Sequence, residues 1–470
     1  MYTFQDFQYD TNKSGISASI DKAINLHKAT LEYKTALDAD NYDMQRNTTI
    51  MQFTRKLFTN DGEYTEDQTA SNNKICSSFF RRLNTQRNTY SLGNGIQFEN
   101  TEIKEELGTD FDTKLKVAGY YALIHGVSFM FWNVDHVHVY KITEFVPLYD
   151  EETGTLQAGI RFWQIDDNKP IYAVLYEVNG YSKYRKSTKD KGGTGKFEEV
   201  SPKTAYRVTY SKAEKDTEAE IVGEENYNEL PIIALYGSRL KQSTLIGMKG
   251  SIDAYDLVRS GFANDMADCS QIYWIINNAG GMNEKELGKF RDRLRITHIA
   301  KTTDEDITVT PYTQEVPYQA RKEFLDEIRS GIYEDFGGLD VHTISAGSTN
   351  DHIEAGYQPL DEQADDYEYE IIDAVERLER LIGVKEIQTP LFNRNRISNQ
   401  KEKVDMVIEC ANYLDDETVL KHLPFLSSDE IDTVMERKDT ESYVQFSSEE
   451  DKALGEDIQS TGNNSITEEE

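Results

Sequence analysis

Residues 251–276 read SIDAYDLVRSGFANDMADCSQIYWII, and residues 361–383 read DEQADDYEYEIIDAVERLERLIG. In the first, Ile252, Tyr255, Phe262, Met266, Cys269 and Tyr273 fall on one stripe at helical spacing, while Asp253, Asp256, Asn264 and Asp268 fall largely elsewhere. A second helix, EFLDEIRSGIYEDFGGLD, follows at 323–340, with Phe324, Ile328, Ile332 and Phe336 four residues apart and a stop at Gly337-Gly338. Between them, residues 274–317 hold short strand-like runs and one short helix that Asn283 and Glu286 cap. Two amphipathic helices with an excursion at one end predict a hairpin that projects and returns. The polar loop 341–356, VHTISAGSTNDHIEAG, leads to a third helix from about Asp361 to Ile382, striped by Ile371, Val375, Leu378 and Ile382.

Working outward toward the N-terminus, residues 1–60 carry helical periodicity, with Ser19 as an N-cap. A helix starts at about residue 73 and ends at Gly93-Asn94-Gly95, and another spans 108–126, capped by Thr109 or Asp110 and stopped by Gly126. From Val127 the hydrophobic period changes to two, and aromatic-rich runs cut by Asn-Gly and Gly-Gly turns predict one antiparallel sheet from about 127 to 236. Beyond Pro390 a linker leads to a small helical part, about 400–437. Residues 439–470 carry ten acids against one Lys, a composition that cannot bury a core and predicts a disordered tail.

The chain of 470 residues is long enough for two or three domains. With 38% hydrophobic and 29% charged residues it is polar but globular. No apolar run approaches the roughly 20 residues of a membrane helix, and the N-terminus lacks the pattern of a signal peptide. Cys76, Cys269 and Cys410 are far apart and form no CxxC, which fits reduced thiols rather than a disulfide frame or a zinc site. A net charge of -33 disfavours a protein that wraps DNA, though not one that DNA passes without sticking.

The candidate chemistry is sparse. KGGTGK at 191–196 has the wrong spacing for a phosphate loop and reads as a hairpin tip. His136 and His138 share a strand face beside Asp135, but no third ligand stands at a set spacing, so the simple reading is a surface pair. Asp361, Glu362, Asp365 and Asp366 have the spacing to hold Mg²⁺, as in a nuclease or phosphotransferase, yet a solvated acidic face explains them as well. Residues 351–381 contain eleven acids and two arginines; if copies lined a channel, they would form a repulsive wall felt weakly beyond about 8–10 Å. Arg291, Arg293, Arg295 and Lys301 form one local basic cluster.

Three segments carry a resemblance. SIDAYDLVRSGFANDMADCSQIYWII is similar to the helix that opens the stem of tailed-phage portal proteins, in the branch from siphophages of Gram-positive hosts. LDEIRSGIYEDFGGLDV resembles the second stem helix with its Gly turn. LFNRNRISNQKEKVDMVIECANYLDDETVLKHLPFLSSDEIDTVMERK, from 391 to 438, resembles the C-terminal block, with its Asn-Arg-Asn start. The three occur in the family's order, over about 240–437. The loop departs from the pattern, with DHIEAG at 351–356 where relatives carry a small Ser-Gly-Val-Ala-like run.

The resemblance implies an α+β, portal-like fold. A wing of helices and antiparallel sheet would span 1–250, with stem helices at 251–273 and 318–336 and a clip at 274–317. A tunnel loop and long wing helix would occupy 337–389, a crown 390–438, and the acidic tail 439–470. It implies a non-enzymatic ring of about twelve copies at one capsid vertex, assembled in the host cytoplasm and carried in the virion, with no cofactor, metal or membrane. Double-stranded DNA would pass through, and the terminase large subunit, a head-completion adaptor, and the major capsid and scaffolding proteins would be partners. His342, Thr343, Ser345, Ser348, Thr349, Asn350 and His352 would face DNA. Asp361, Glu362, Asp365 and Asp366 would set the channel field, and Arg291, Arg293, Arg295 and Lys301 would bind partners at the clip. The rivals are the Mg²⁺-dependent nuclease and a cytosolic scaffold that forms no ring.

Overall fold

The computed structural model describes residues 2–58, 64–66, 71–100, 102–187, 195–210, 221–269, 273–277, 308–312, 318–341 and 350–396, with short pieces at 285, 288–289, 404, 407–409, 416–421 and 434. By contacts the chain divides into two compact units: residues 1–340 with 358–395, and residues 341–357 with 396–470.

The first unit opens with helices α1 (Phe4–Ser14), α2 (Ile16–Ala29), α3 (Leu31–Asp43) and α4 (Thr48–Gln52), then the strands β1 (Lys56–Phe58) and β2 (Tyr64–Glu66). Helix α5 (Phe79–Leu92), strand β3 (Ile96–Gln97) and helices α6 (Glu102–Leu107) and α7 (Phe111–His125) follow. Ten strands come next: β4 (Val127–Asn133), β5 (His136–Lys141), β6 (Phe145–Tyr149), β7 (Leu156–Trp163), β8 (Ile171–Glu177), β9 (Gly180–Lys186), β10 (Phe197–Thr204), β11 (Arg207–Tyr210), β12 (Ile221–Glu225) and β13 (Ile232–Tyr236). Then come α8 (Leu245–Cys269), β14 (Tyr273–Asn277), β15 (Thr308–Tyr312), α9 (Tyr318–Phe336), α10 (Asn350–Ile382) and β16 (Leu391–Phe392). In the second unit, which includes the first turns of α10, Ile353 and Tyr357 are buried, Arg396 lies over the Tyr357 ring, and α11 spans Asp416–Lys421.

Where one sheet was expected across 127–236, the strands form three. A meander of five runs β10-β9-β8-β7-β6, a three-stranded sheet runs β13-β4-β5, and β11 pairs with β12 alone. The physical reason is that two separate sets of helices need a sheet to cover. Phe7, Ile20, Ala23 and Ile24 of α1 and α2 pack on Val146, Ile160, Leu175 and Tyr184 of the five-stranded sheet. Phe111, Leu115 and Ala118 of α7 pack with Phe129 and Leu235 of the three-stranded sheet and with Tyr367, Ile371, Val375 and Leu378 of α10. The predicted α10 stripe is therefore the buried one.

Other boundaries differ for identifiable reasons. Ser19 lies inside α2 and returns its hydroxyl to the Gly15 carbonyl; Thr3 and Thr30 are the side-chain caps of α1 and α3. Residues 71–78 are not helical and hold no regular hydrogen-bond pattern of their own; α5 begins only at Phe79. Helix α8 starts at Leu245, six residues before the expected start, because Leu245 and Met248 already face a core. Helix α10 starts at Asn350 and passes through Pro359, so Asn350 and His352 are helical rather than part of a loop. The expected stops hold: Gly126 ends α7 at φ 89°, where a Cβ would lie 2.7 Å from the Gln242 carbonyl carbon. Gly337 (φ 66°) and Gly338 end α9, their amides donating to Glu334 and Tyr333 carbonyls.

Gly119 lets α7 meet α10: a Cβ there would come within 1.9 Å of Tyr367 Oη, which donates to Asn88 Oδ1 at 2.8 Å. Gly119→Ala adds about 1 kcal/mol of helix propensity. Overpacking of about 1–3 kcal/mol and a lost buried hydrogen bond of similar size outweigh it. The variant is expected to melt several degrees lower by calorimetry; an unchanged or raised midpoint would show that α7 and α10 are not in close contact.

Candidate functional site

The hairpin of α8 and α9 is rooted in its own small core. Leu245, Met248 and Ile252 of α8 and Ile332, Tyr333 and Phe336 of α9 pack with Tyr42, Phe79, Phe80 and Leu83. Just past Gly338, the Gln86 side chain grips Leu339 from both sides, donating to its carbonyl at 2.9 Å and accepting from its amide at 3.0 Å.

Beyond Ile252 the buried face of α8 turns polar. Asp256, Ser260 and Asn264 are 0%, 2% and 2% exposed. Each accepts a backbone amide from the extended segment before α5: Asp256 Oδ1 from Ser77 at 2.9 Å, Ser260 Oγ from Ile75 at 3.0 Å, and Asn264 Oδ1 from Asn73 at 2.6 Å. The spacing explains the fit. Every fourth helical residue advances about 6.0 Å, and every second residue of an extended chain about 6.6 Å. Side chains of α8 thus stand in for a neighbouring strand, and Asp256 satisfies in Ser77 an amide that would otherwise be buried without a partner. The sequence reading put Asp256 and Asn264 away from the apolar stripe, which is right, but that face is buried and not solvated. Asp256 also accepts from Asn47 Nδ2, and burial raises its carboxyl above the usual range. Three residues earlier, Asp253 accepts from Tyr42 Oη and, at 2.7 Å, from Thr49 Oγ1.

The outer half of the hairpin is held differently. Phe262 meets Tyr318 at a ring distance of 5.7 Å, and Arg321 pairs with Asp265 at 2.5 Å. Strands β14 and β15 pair antiparallel, Tyr273 opposite Tyr312. Met266, Tyr318 and Phe324 remain exposed, at 56%, 59% and 46%. The apolar stripe of the hairpin is therefore buried only near its base.

The acidic face of α10 is gathered by one arginine. Arg394 reaches Asp361 Oδ1 at 2.8 Å, Glu368 Oε2 at 2.8 Å, and Asp365. Tyr90 also donates to Asp361 at 2.6 Å. Residues 361, 365 and 368 lie one turn apart on one face, so a single guanidinium fork can serve all three. Asp366 stands 3.9 Å from Arg239, and Glu362 is exposed. A second arginine, Arg87, is buried, donates to the Phe336 carbonyl at 2.9 Å and to Gln363 at 2.8 Å, and lies 4.2 Å over the Phe336 ring. Burial pushes it down to about 10, so it stays charged at neutral pH. It closes the C-terminal end of α9 against α10, where a cation suits the exposed carbonyls. Neither arginine was singled out from sequence, although Arg394 is the centre of the quoted Asn-Arg-Asn start.

His342, Thr343, Ser345, Ser348 and Thr349 lie outside the described residues, as do Arg291, Arg293, Arg295, Lys301, Asn283 and Glu286 and the 191–194 part of KGGTGK; Asn350 and His352 are described only as helical backbone. His136 and His138 do come together, with Nε2 atoms 3.0 Å apart.

The chain belongs to the family of phage portal proteins described as SPP1 Gp6-like, whose model matches residues 22–443. Among its relatives, the portal protein of Clostridium phage phiCD119 is 25% identical over 386 residues, covering 76% of this chain and 82% of that one. The portal protein of Bacillus phage SPP1 is 22% identical over 420 residues, covering 82% and 80%. Among solved structures, the neck of a native gene transfer agent particle aligns with a TM-score of 0.42 and 9% identity, over 74% of this chain and 90% of that one. Portal proteins are structural proteins of the phage particle and not enzymes. The nuclease reading of the 361–366 carboxylates loses to this one, since Asp361 and Asp365 are partners of Arg394.

Two outcomes test the geometry. Ser260→Ala and Asn264→Ala each remove the side-chain acceptor of an amide at the edge of the seam, at a cost of about 0.5–1.5 kcal/mol. Hydrogen exchange should quicken at Ile75 and Asn73 respectively; unchanged protection would remove the α8 seam. The raised carboxyl of Asp256 means that the folded state holds its proton more tightly than the unfolded state does. Its contribution to stability therefore falls as pH rises from 3.8 through the raised value. Asp256→Asn should flatten that slope in thermal midpoints recorded against pH, and an identical slope would show that the group does not titrate there.

Arg394→Ala should lower stability by about 1.5–3 kcal/mol. Added salt should restore part of it by screening the three carboxylates. A salt-independent loss would mean that packing, not charge, is what Arg394 supplies.

Proposed function

We propose that this chain is the subunit of a ring of about twelve copies that forms the DNA channel at one capsid vertex. The observation that carries the reading is the family match across residues 22–443, which includes the α8–α9 hairpin. In this reading α8 and α9 are the stem, residues 274–317 the clip and residues 390–438 the crown. The hairpin's exposed Met266, Tyr318 and Phe324 suit burial between neighbouring copies. The clip, with Arg291, Arg293, Arg295 and Lys301, docks the terminase large subunit during packaging and the head-completion adaptor afterwards. Scaffolding and major capsid proteins meet the outside of the ring during assembly in the host cytoplasm.

The DNA-facing part is the segment from His342 to His352, and the acidic turns of α10 that follow it in sequence set the field. Because Arg394 neutralises part of the 361–368 group, that field is weaker than the acid count suggests. DNA held at a distance near the screening length of about 8–10 Å would feel a mild repulsion and slide.

Replacing Thr343–Asn350 by glycines tests the role of this segment. Rings should still form, while DNA packaged per head falls several-fold in a packaging reaction with terminase. Packaging at the original level would remove the segment from the DNA path.

A further inference from the structure

The hairpin of β4 and β5 carries a constellation that the channel does not use. Its turn is Val134-Asp135, and Val134 sits at φ 65°, a left-handed conformation that a β-branched residue rarely adopts. Glycine or asparagine is usual in such a turn. Strain of about 1–3 kcal/mol is held where it serves a local geometry, and here it returns the Asp135 carboxylate onto its own neighbour: Asp135 Oδ1 lies 2.6 Å from His136 Nδ1. That contact fixes the ring and turns His136 Nε2 toward His138 Nε2, 3.0 Å away. The His138 ring is in turn stacked on Phe131, its partner across the strand pair, with planes 9° apart. Two ring nitrogens thus converge at the surface, one oriented by a carboxylate and one by an aromatic face.

We propose that His136 and His138 form a two-nitrogen clip for a divalent transition-metal ion of the copper(II) or nickel(II) class, with Asp135 orienting the first ligand. The distance favours that class. Imidazole nitrogens bind at about 2.0–2.1 Å, so two of them 3.0 Å apart subtend an angle of about 91–97° at a shared ion. That is the right angle between neighbouring ligands of a tetragonal site; a tetrahedral zinc ion would need about 3.3–3.4 Å between the nitrogens. With its Nδ1–H donated to Asp135, His136 accepts at Nε2 from the Nε2–H of His138 in the free protein; binding of the ion moves the His138 proton to its Nδ1 and leaves both Nε2 lone pairs for the metal. The charge of Asp110 reaches His138 and favours a cation, while Lys114 and Arg161 oppose it. Among the described residues no group of three or more His, Cys, Asp or Glu is arranged to hold a metal, so water fills the remaining positions and the ion exchanges readily. His136 is about one-third exposed, which gives the ion a path in from solvent.

The test uses full-length protein without a histidine tag, titrated with Cu²⁺ and followed by calorimetry and electron paramagnetic resonance. One site per chain with an axial signal from two nitrogens is expected. His136→Ala and His138→Ala should each abolish it, and Asp135→Asn should weaken it about tenfold or more. All three residues lie on a surface hairpin, and circular dichroism of the variants should match the parent, so lost binding reports the site and not the fold. Binding that survives both histidine substitutions would place the ion elsewhere and overturn the proposal. No binding at roughly 100 µM Cu²⁺ would overturn it too and leave His136 and His138 as a pair that shares a proton.

Discussion

An extended chain has an amide to satisfy at every second residue on a given side, and α8 offers an acceptor at every fourth. The near-match of about 6.0 and 6.6 Å is the constraint on which the base of the hairpin depends. It explains why a helix that must pack on the body of the protein carries Asp256, Ser260 and Asn264, and not leucines, on its innermost face. Apolar side chains there would leave the amide of Ser77 buried and unpaired and take their acceptors from those of Asn73 and Ile75. It also fixes the rotation of α8 about its own axis, since a turn of one residue would move all three acceptors away together. The other face of α8 is then committed to α9, through Phe262, Tyr318 and the Arg321–Asp265 pair.

The long helix α10 obeys a different rule. Its apolar face is an ordinary core stripe, with Ile371, Val375 and Leu378 buried. Its acidic face is costly alone, and Arg394 gathers Asp361, Asp365 and Glu368 while Arg87 joins the same helix to the end of α9. Both arginines make several hydrogen bonds from one planar group, something a lysine could not reproduce. The chain segment just before residue 396, the start of α10's acidic run and the end of the hairpin are tied in this way through charge and not only through packing.

Much of this was legible in the residues. The buried stripe of α10, the Gly126 and Gly337-Gly338 stops and the change from helix to strand at Val127 all follow from local chemistry, and the structure bears them out. The failures share a cause. Whether Asp256 faces water or a row of amides depends on a segment almost 180 residues away, and no periodicity in α8 reveals that partner. The same holds for Arg394, whose three carboxylates lie about 30 residues earlier. The division of the strands into three sheets depends on which helices cover them, as α1 and α2 do for one sheet and α7 for another. The expected start of the helix at 73 failed because Asn73–Ser77 find acceptors on α8 that outcompete local helical hydrogen bonds. Portal membership was legible because three segments, each weak alone, stood in the family's order.

The central claim is that copies of this chain close into a ring around a channel, with the hairpins side by side. The most direct measurement is the native mass of the purified protein by light scattering, with electron micrographs of the same peak. The account predicts closed rings of about a dozen subunits with a central hole. A monomer at every concentration tested would contradict it.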